Sequence, residues 1–277
     1  MPRFELGTSP TRTERATRLR HTPRADRVAA LAARDDILEY ARELLDLDAY
    51  DDYGPMGMQV VGGDDVAKIA AGVSSSRELF ERAAEAGAQL LIVHHGLFWQ
   101  NDPRIVDRQM RGRLEALFRG DITLAAYHLA LDAHPDLGNN ALLARELGVG
   151  ALERVLEWGF GGRLDPPLAI DQLAQRLHEA TGQEPRVFDG GPDRIERVAV
   201  ITGGAARLFP QIAATGYDAF VTGEPAEPTL HAARELRTHF LAGGHYATET
   251  SGIKALAEKL AERFDLEWEF LDLPNPV

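Results

Sequence analysis

Two stretches of the chain, 129 residues apart, repeat one pattern, and that pattern constrains the fold more than any other feature of the sequence. IAAGVSSSRELFERAAEAGAQLLIVHHG, beginning at Ile69, lies over VAVITGGAARLFPQIAATGYDAFVTGE, beginning at Val198. Leu79-Phe80 fall on Leu208-Phe209, Gly87 on Gly216, and Leu90–Val93 on Ala219–Thr222. Each copy reads as a strand, a small-residue turn, a helix closed by glycine and a second buried strand. The strands are near-continuous apolar runs, as parallel strands are when helices cover both faces of their sheet. The matched registers point to an α/β protein containing an internal βαβ pseudo-repeat.

Folds of this class place their sites just beyond the carboxyl ends of the strands. Copy one has His94 and His95 there, and copy two has Gly223 and Glu224. Asp121–His128 reads as another buried strand, ending in a histidine. Outside the repeat, Asp35–Leu45 has acidic residues at its start and an apolar face at helical spacing. Helices are also expected over Asn139–Leu147, over Asp171–Thr181 with Asp171 as N-cap, over His231–Leu236, and over Thr248–Phe264. Short strands are expected over His239–Ala242 and Leu266–Leu271.

Composition narrows the chemistry. The chain has 277 residues, enough for well-buried cores, and no cysteine, so disulfides, thiolate zinc sites and cysteine nucleophiles are excluded. Any metal must be held by His, Asp and Glu. The net charge of −13 disfavours a nucleic-acid partner. No apolar run approaches the ~20 residues that span a bilayer, so no membrane role is expected and a cytoplasmic location is. Residues 1–34 carry eight Arg against Glu5, Glu14 and Asp26 and lack apolar periodicity until about Val28. They are expected to form a disordered extension. One α/β domain is then expected from residues 35–125 plus 245–277, and a second from 126–244.

Three stretches could carry chemistry. In LLIVHHG, adjacent histidines at a strand end point to opposite sides, yet both can face one cleft if the backbone turns at Gly96. The alternative is one core histidine bonded to a carbonyl and one surface histidine. In YHLALDAHPDLGNN, Asp132 lies in an apolar context, where a carboxylate is costly unless paired. It is otherwise a turn or capping residue. In GGHYATE, His245 and Glu249 are four apart, a spacing that puts both on one helical face. They are otherwise an ordinary i,i+4 pair. Taken together, His94, His95, Asp132, His245 and Glu249 suit two divalent cations of the Zn, Mn or Fe(II) kind. Two cations carry +4, the two carboxylates −2 and a bridging hydroxide −1, which leaves +1 to attract a small anionic substrate.

The same stretches, with DDYGPMGMQVVGG, DAFVTGEPAEPTLHAAREL and the terminal LDLPNPV, make residues 35–277 similar to the dinuclear-metal-centre proteins called GTP cyclohydrolase I type 2 homologues, the Nif-three-like family. The likeness is to the short bacterial members that lack an inserted central domain. It implies metal ligands at His94, His95, Asp132, His245 and Glu249. It also implies two interlocked α/β domains with the dinuclear site in the cleft between them, and a homohexamer built as a trimer of dimers. Glu224 stands where many relatives carry Asp, and Met56-Gly57-Met58-Gln59 departs from the commoner wording; neither change touches a ligand position. His128, Thr222, Glu224 and His231 are candidates to orient ligand imidazoles or shuttle protons, although His231 reads equally as an exposed helical histidine. No catalytic residue is assigned. Two functions follow as expectations: a metal-dependent hydrolase acting on a nucleotide or phosphorylated small molecule, GTP cyclohydrolase among them, or a non-catalytic ring scaffold or metal carrier.

Overall fold

The computed structural model describes residues 30–277. Its frame is the duplicated unit. In the first copy β4 (Lys68–Ser74), β5 (Leu90–His95) and β6 (Thr123–Ala126) run parallel, and β2 (Gly57–Val60) pairs antiparallel with β6. In the second, β10 (Ile195–Val200), β11 (Ala219–Thr222) and β12 (His239–Ala242) run parallel, and β9 (Arg186–Phe188) pairs antiparallel with β12. Ile69 faces Leu90 in one sheet and Val198 faces Ala219 in the other, each pair offset by the same 129 residues. Gly57 and Arg186, also 129 apart, lie opposite Ala126 and Ala242. The repeat is therefore larger than the sequence pattern suggests: the run β4-β5-β6-β2 recurs whole as β10-β11-β12-β9. The antiparallel edge strands were not legible because each is only a few half-exposed residues long.

Each sheet then grows differently on its other side. β13 (Glu267–Phe270) joins β4 in parallel and completes five strands. A hairpin of β7 (Val149–Val155) and β8 (Gly159–Leu168) joins β10 and completes six. The sequence does not announce this hairpin, since β8 contains Pro166 and Pro167 and proline argues against a strand.

Helices cover both faces of both sheets, as the uninterrupted apolar strands require. On the first sheet, α2 (Arg77–Glu85) and α3 (Arg108–Gly120) bury Leu79, Phe80 and Leu117 against Leu91, Val93 and Leu124. On its other face, α1 (Arg34–Leu45) and α10 (Thr250–Phe264) bury Ile37, Ile253, Leu256 and Leu260 against Ile69, Leu90 and Ile92. On the second sheet, α5 (Asn139–Glu146) and α6 (Ile170–Thr181) cover one face, and α7 (Phe209–Ala214) and α8 (Thr229–Leu236) the other. Each such buried Leu, Ile or Phe contributes about 1.5–3 kcal/mol relative to exposure. α10 also packs on α5, so the inner helices of the two sheets meet.

Some boundaries differ from expectation. Most of the expected extension lies outside the described residues, but its last part is ordered: β1 (Ala32–Ala33) pairs with β3 (Asp65–Val66), and buried Arg34 opens α1 and donates to the Gly62 carbonyl at 2.9 Å. The charge count alone could not see that Arg34 has a partner. Asp171 sits inside α6 rather than capping it; Ala169 holds the N-cap position and its N–H donates to the Gln172 side chain. Two one-turn helices, α4 (Leu129–Asp132) and α9 (His245–Thr248), follow β6 and β12. Among the described residues no helix is long and apolar enough to cross a membrane.

Candidate metal centre

The carboxyl ends of the central strands of both sheets converge. β5 ends in His94 and His95, with His94 fully buried and the His95 side chain 18% exposed. After β6 the chain passes through His128, the N-cap of α4, whose last residue is Asp132. After β12 it passes through Gly243-Gly244 into α9, which begins at His245 and is followed by Glu249. His245 and Glu249 do not lie on one face of a long helix. Glu249, at φ −112° and ψ 12°, is the joint between α9 and α10, and the break turns its carboxylate inward.

These residues meet. His94 Nε2 lies 3.5 Å from Asp132 Oδ2 and 3.5 Å from Glu249 Oε1. His95 Nε2 is 3.2 Å and His245 Nε2 is 3.4 Å from Glu249 Oε2. His128 joins His94 and His95, with ring centroids 4.9 and 5.5 Å away. Three groups of side chains could each hold a metal ion: His94 with His95 and His128, His95 with His245 and Glu249, and His94 with Asp132 and Glu249.

The outer nitrogen of each imidazole is occupied by a separate partner. His94 Nδ1 bonds the Tyr127 carbonyl at 3.0 Å, and His95 Nδ1 the Ser74 hydroxyl at 3.0 Å. His128 Nδ1 bonds Asp52 at 2.7 Å, and His245 Nδ1 bonds Glu224 at 3.2 Å. Such contacts fix ring orientation and leave Nε2 for the interior. Asp132 is held in turn by Asn139, whose amide donates at 2.8 Å and whose carbonyl accepts from Gly252 N–H of α10 at 2.7 Å.

Copy two supplies no second histidine pair because sterics forbid it. At Gly223, the counterpart of His94, a Cβ would lie 2.6 Å from His245 Cα and 2.7 Å from the Gly203 carbonyl. Glycine there lets α9 approach. The following position keeps a polar role, since Glu224 holds His245.

Charge at the centre is unevenly distributed. Burial opposes protonation of His94, but the carboxylates of Asp132 and Glu249 outweigh it and lift its pKa to about 9. Burial dominates at His95 and, helped by the neighbouring imidazoles against Glu249, lowers its pKa to about 3. Burial also raises the pKa of Asp132, which His94 only partly offsets. For Glu249 burial is overcome by His95 and His94, and its pKa falls to about 2. His94 Nε2 and Glu249 Oε2 are buried with no hydrogen-bond partner among the described residues. An unpaired buried nitrogen and an unpaired buried carboxylate oxygen cost about 1–3 kcal/mol each, more when charged. Bound cations would relieve both, so the donor set fits a metal centre.

A cavity of about 620 Å³ opens onto the cluster. His95, His128, Asp132, His245 and Glu249 line one side, and Tyr53, Trp99 and Trp158 contribute aromatic wall. A Duf34/NIF3 (NGG1p interacting factor 3) family profile matches residues 32–276, from β1 through the last residue but one of the chain. The chain belongs to the Duf34/NIF3 family. It is 43% identical to the GTP cyclohydrolase 1 type 2 homolog of Escherichia coli over 246 residues, 87% of this chain and 98% of that one. The Pseudomonas aeruginosa protein of the same name is 42% identical over 247 residues, 87% of this chain and 97% of that one. Among solved structures, protein ybgI, titled as of unknown function, superposes with a TM-score of 0.85 at 42% identity, covering 89% of this chain and all of that one. HcgD from Methanocaldococcus jannaschii, at 21% identity, matches with a TM-score of 0.79 over 88% of this chain and all of that one, a likeness of fold.

Within this NIF3-family chain all five expected ligand positions are brought together, and His128 and Glu224 lie beside them. Thr222 is buried and donates to the Gly203 carbonyl at 3.0 Å, supporting the loop over the cluster. His231 is exposed on α8 and belongs to none of the three metal-competent groups. Asp52, Ser74 and Asn139 were missed. Asp52 and Asn139 stand in stretches that carry the family likeness, yet nothing in a lone Asp or an Asn at a helix start distinguishes a partner of a distant side chain.

Proposed function

We propose that this NIF3-family chain is a dinuclear metal-dependent hydrolase acting on a nucleotide or another phosphorylated small molecule, with GTP cyclohydrolase chemistry the named possibility. His94, His95, Asp132, His245 and Glu249 would hold two divalent cations of the Zn, Mn or Fe kind. Such cations supply Lewis acidity toward water and toward an anionic substrate oxygen. The observation that carries the reading is the set of inward imidazole nitrogens gathered round an unpaired buried Glu249 oxygen at the wall of a large open cavity. Metal sites that serve structure alone are closed, whereas those that serve catalysis keep an open side.

The protein's own groups supply the rest. Asp52, with only 3% of its side chain exposed, fixes His128 through Nδ1 and also accepts from Leu129 N–H at 2.9 Å. His128 then takes or gives a proton at Nε2 beside the cluster. Trp99 packs edge-on against its ring at 5.3 Å and holds it in place. Asn139 and Glu224 keep Asp132 and His245 in position. Incubating metal-loaded protein with GTP and a panel of small phosphoesters tests the proposal. Turnover that falls about a hundredfold or more in Asp132→Ala supports it. Turnover no greater than that variant's, with ions still bound, supports the scaffold or carrier reading instead.

A further inference from the structure

The cavity has a second pole. Among its lining residues Arg207 is the single lysine or arginine. Its side chain is exposed and has no hydrogen bond, ion pair or ring contact with any described residue, whereas Arg34, Arg42, Arg77, Arg82, Arg111 and Arg197 all pair with carboxylates. A guanidinium left free at the wall of a cavity is a planar fork open to a doubly accepting anion.

Its placement relative to the cluster is set by a short loop. After β10 the chain runs Ile201-Thr202-Gly203-Gly204-Ala205 into the turn that carries Arg207. Gly203, at φ +67°, lies so close to Glu249 that any Cβ would collide with its carboxylate, and a Cβ on Gly204 would sit 3.0 Å from Glu224 Oε1. The loop is thus seated on the acidic pole, and Arg207 follows four residues later, a reach of at most about 14 Å. Cluster and guanidinium line the same cavity of about 620 Å³, the scale of a small-molecule pocket. Trp99 and Trp158 also line the cavity and offer apolar surface for an uncharged, flat portion of a ligand.

We infer that Arg207 is a specificity-determining residue that receives the phosphoryl group of the substrate at the far end of the cavity, while the reacting atoms lie at the His–carboxylate cluster. The inference rests on the proposed hydrolase reading for the identity of the reacting end. It predicts which substrates are chosen: those whose anionic group is separated from the scissile position by roughly the span between the poles.

The test is calorimetric titration of metal-loaded protein with phenyl phosphate and with phenol, in wild type, Arg207→Ala and Arg207→Lys. Wild type binds phenyl phosphate at least about tenfold more tightly than phenol. Arg207→Ala removes about tenfold of phenyl phosphate affinity, leaves phenol affinity unchanged and keeps the wild-type melting temperature. Arg207→Lys retains part of the preference, because it keeps the charge and loses the fork. Phenyl phosphate affinity in Arg207→Ala within twofold of wild type overturns the inference, as does a wild type that does not prefer phenyl phosphate to phenol. Because the readout is binding, the two readings separate. An Arg207-dependent preference without any turnover counts against the hydrolase alone, and turnover indifferent to Arg207→Ala counts against the role of Arg207 alone.

Discussion

His94 and His95 share a peptide bond and nearly opposite acid–base behaviour. The side chain of His94 is enclosed and aimed between two carboxylates, which hold a proton on it up to about pH 9. His95 is surrounded by imidazoles and stays neutral down to about pH 3. The ordinary value for both is 6.5. For metal-free protein the signs follow from linkage. His94 binds its proton more tightly folded than unfolded, so its contribution is full below pH 6.5 and is lost as pH rises through about 9. His95 binds its proton less tightly folded, so its contribution is full above 6.5 and is lost as pH falls toward 3. The pair therefore gives metal-free protein a stability maximum near pH 6.5, measurable as denaturant midpoints across pH. Metal must displace the His94 proton. Cation uptake at pH 7 should release protons into a weakly buffered solution, and affinity should rise with pH up to about 9. A pH-independent affinity between 6 and 9 would contradict the assignment of His94 as a ligand.

At the scale of elements, the one-turn helix α9 depends on the chain's last residues. Tyr246 N–H donates to the Val277 carbonyl at 3.0 Å, and the Tyr246 hydroxyl donates to Asp272 at 2.6 Å while accepting from Leu273 N–H at 3.0 Å. Residues 271–277 leave the β13 edge of the first sheet and fasten the turn that brings His245 from the second. Tyr246→Phe should cost about 1–2 kcal/mol of stability, since it leaves Asp272 and Leu273 N–H without their partner. It should also lower metal content more than an exposed substitution of equal thermodynamic cost, because the loosened element carries a ligand. Elemental analysis of the purified variant, beside its denaturation midpoint, checks both parts.

For the whole molecule, the six- and five-stranded sheets are two copies of one architecture, each extended at one edge by unrelated strands, and the site lies where the copies face one another. Several large apolar side chains stay on the surface. Ile105 and Val106, 66% and 65% exposed, sit in the loop that also carries half-buried Trp99. These adjacent apolar side chains make the loop a candidate contact site. The homohexamer expected from the family likeness predicts a light-scattering mass six times the 30.4 kDa of the chain. Ile105→Asp together with Val106→Asp should reduce that mass if this loop joins the subunits. A monomeric wild type at micromolar concentration would remove the expectation.

What the sequence determined by itself was local or repetitive. The apolar runs at Leu90–Val93 and Ala219–Thr222 announced buried parallel strands, and Gly87 and Gly216 marked helix ends, because burial and positive φ select residue types directly. The 129-residue offset holds in the hydrogen-bond register of the first two strands of each copy but not of the third, where Leu90 faces Thr123 and Ala219 faces His239. The five candidate ligands were legible because α/β folds place sites just past the carboxyl ends of their strands and because their stretches resemble a known family. Tertiary structure alone decided which neighbours complete the site. Asp52 holds His128 from before β2, Asn139 holds Asp132 across the turn that joins α4 to α5, and Gly203 yields to Glu249 where the segments after β10 and β12 meet. Contacts such as Asp52–His128, 76 positions apart, and Asn139–Gly252, 113 apart, leave no periodicity in the chain, and neither does a lone Asn seven residues after Asp132. The expected helix Thr248–Phe264 is met by α10 to within two residues, and only tertiary structure decided that Glu249 would stand just before it as the joint with α9.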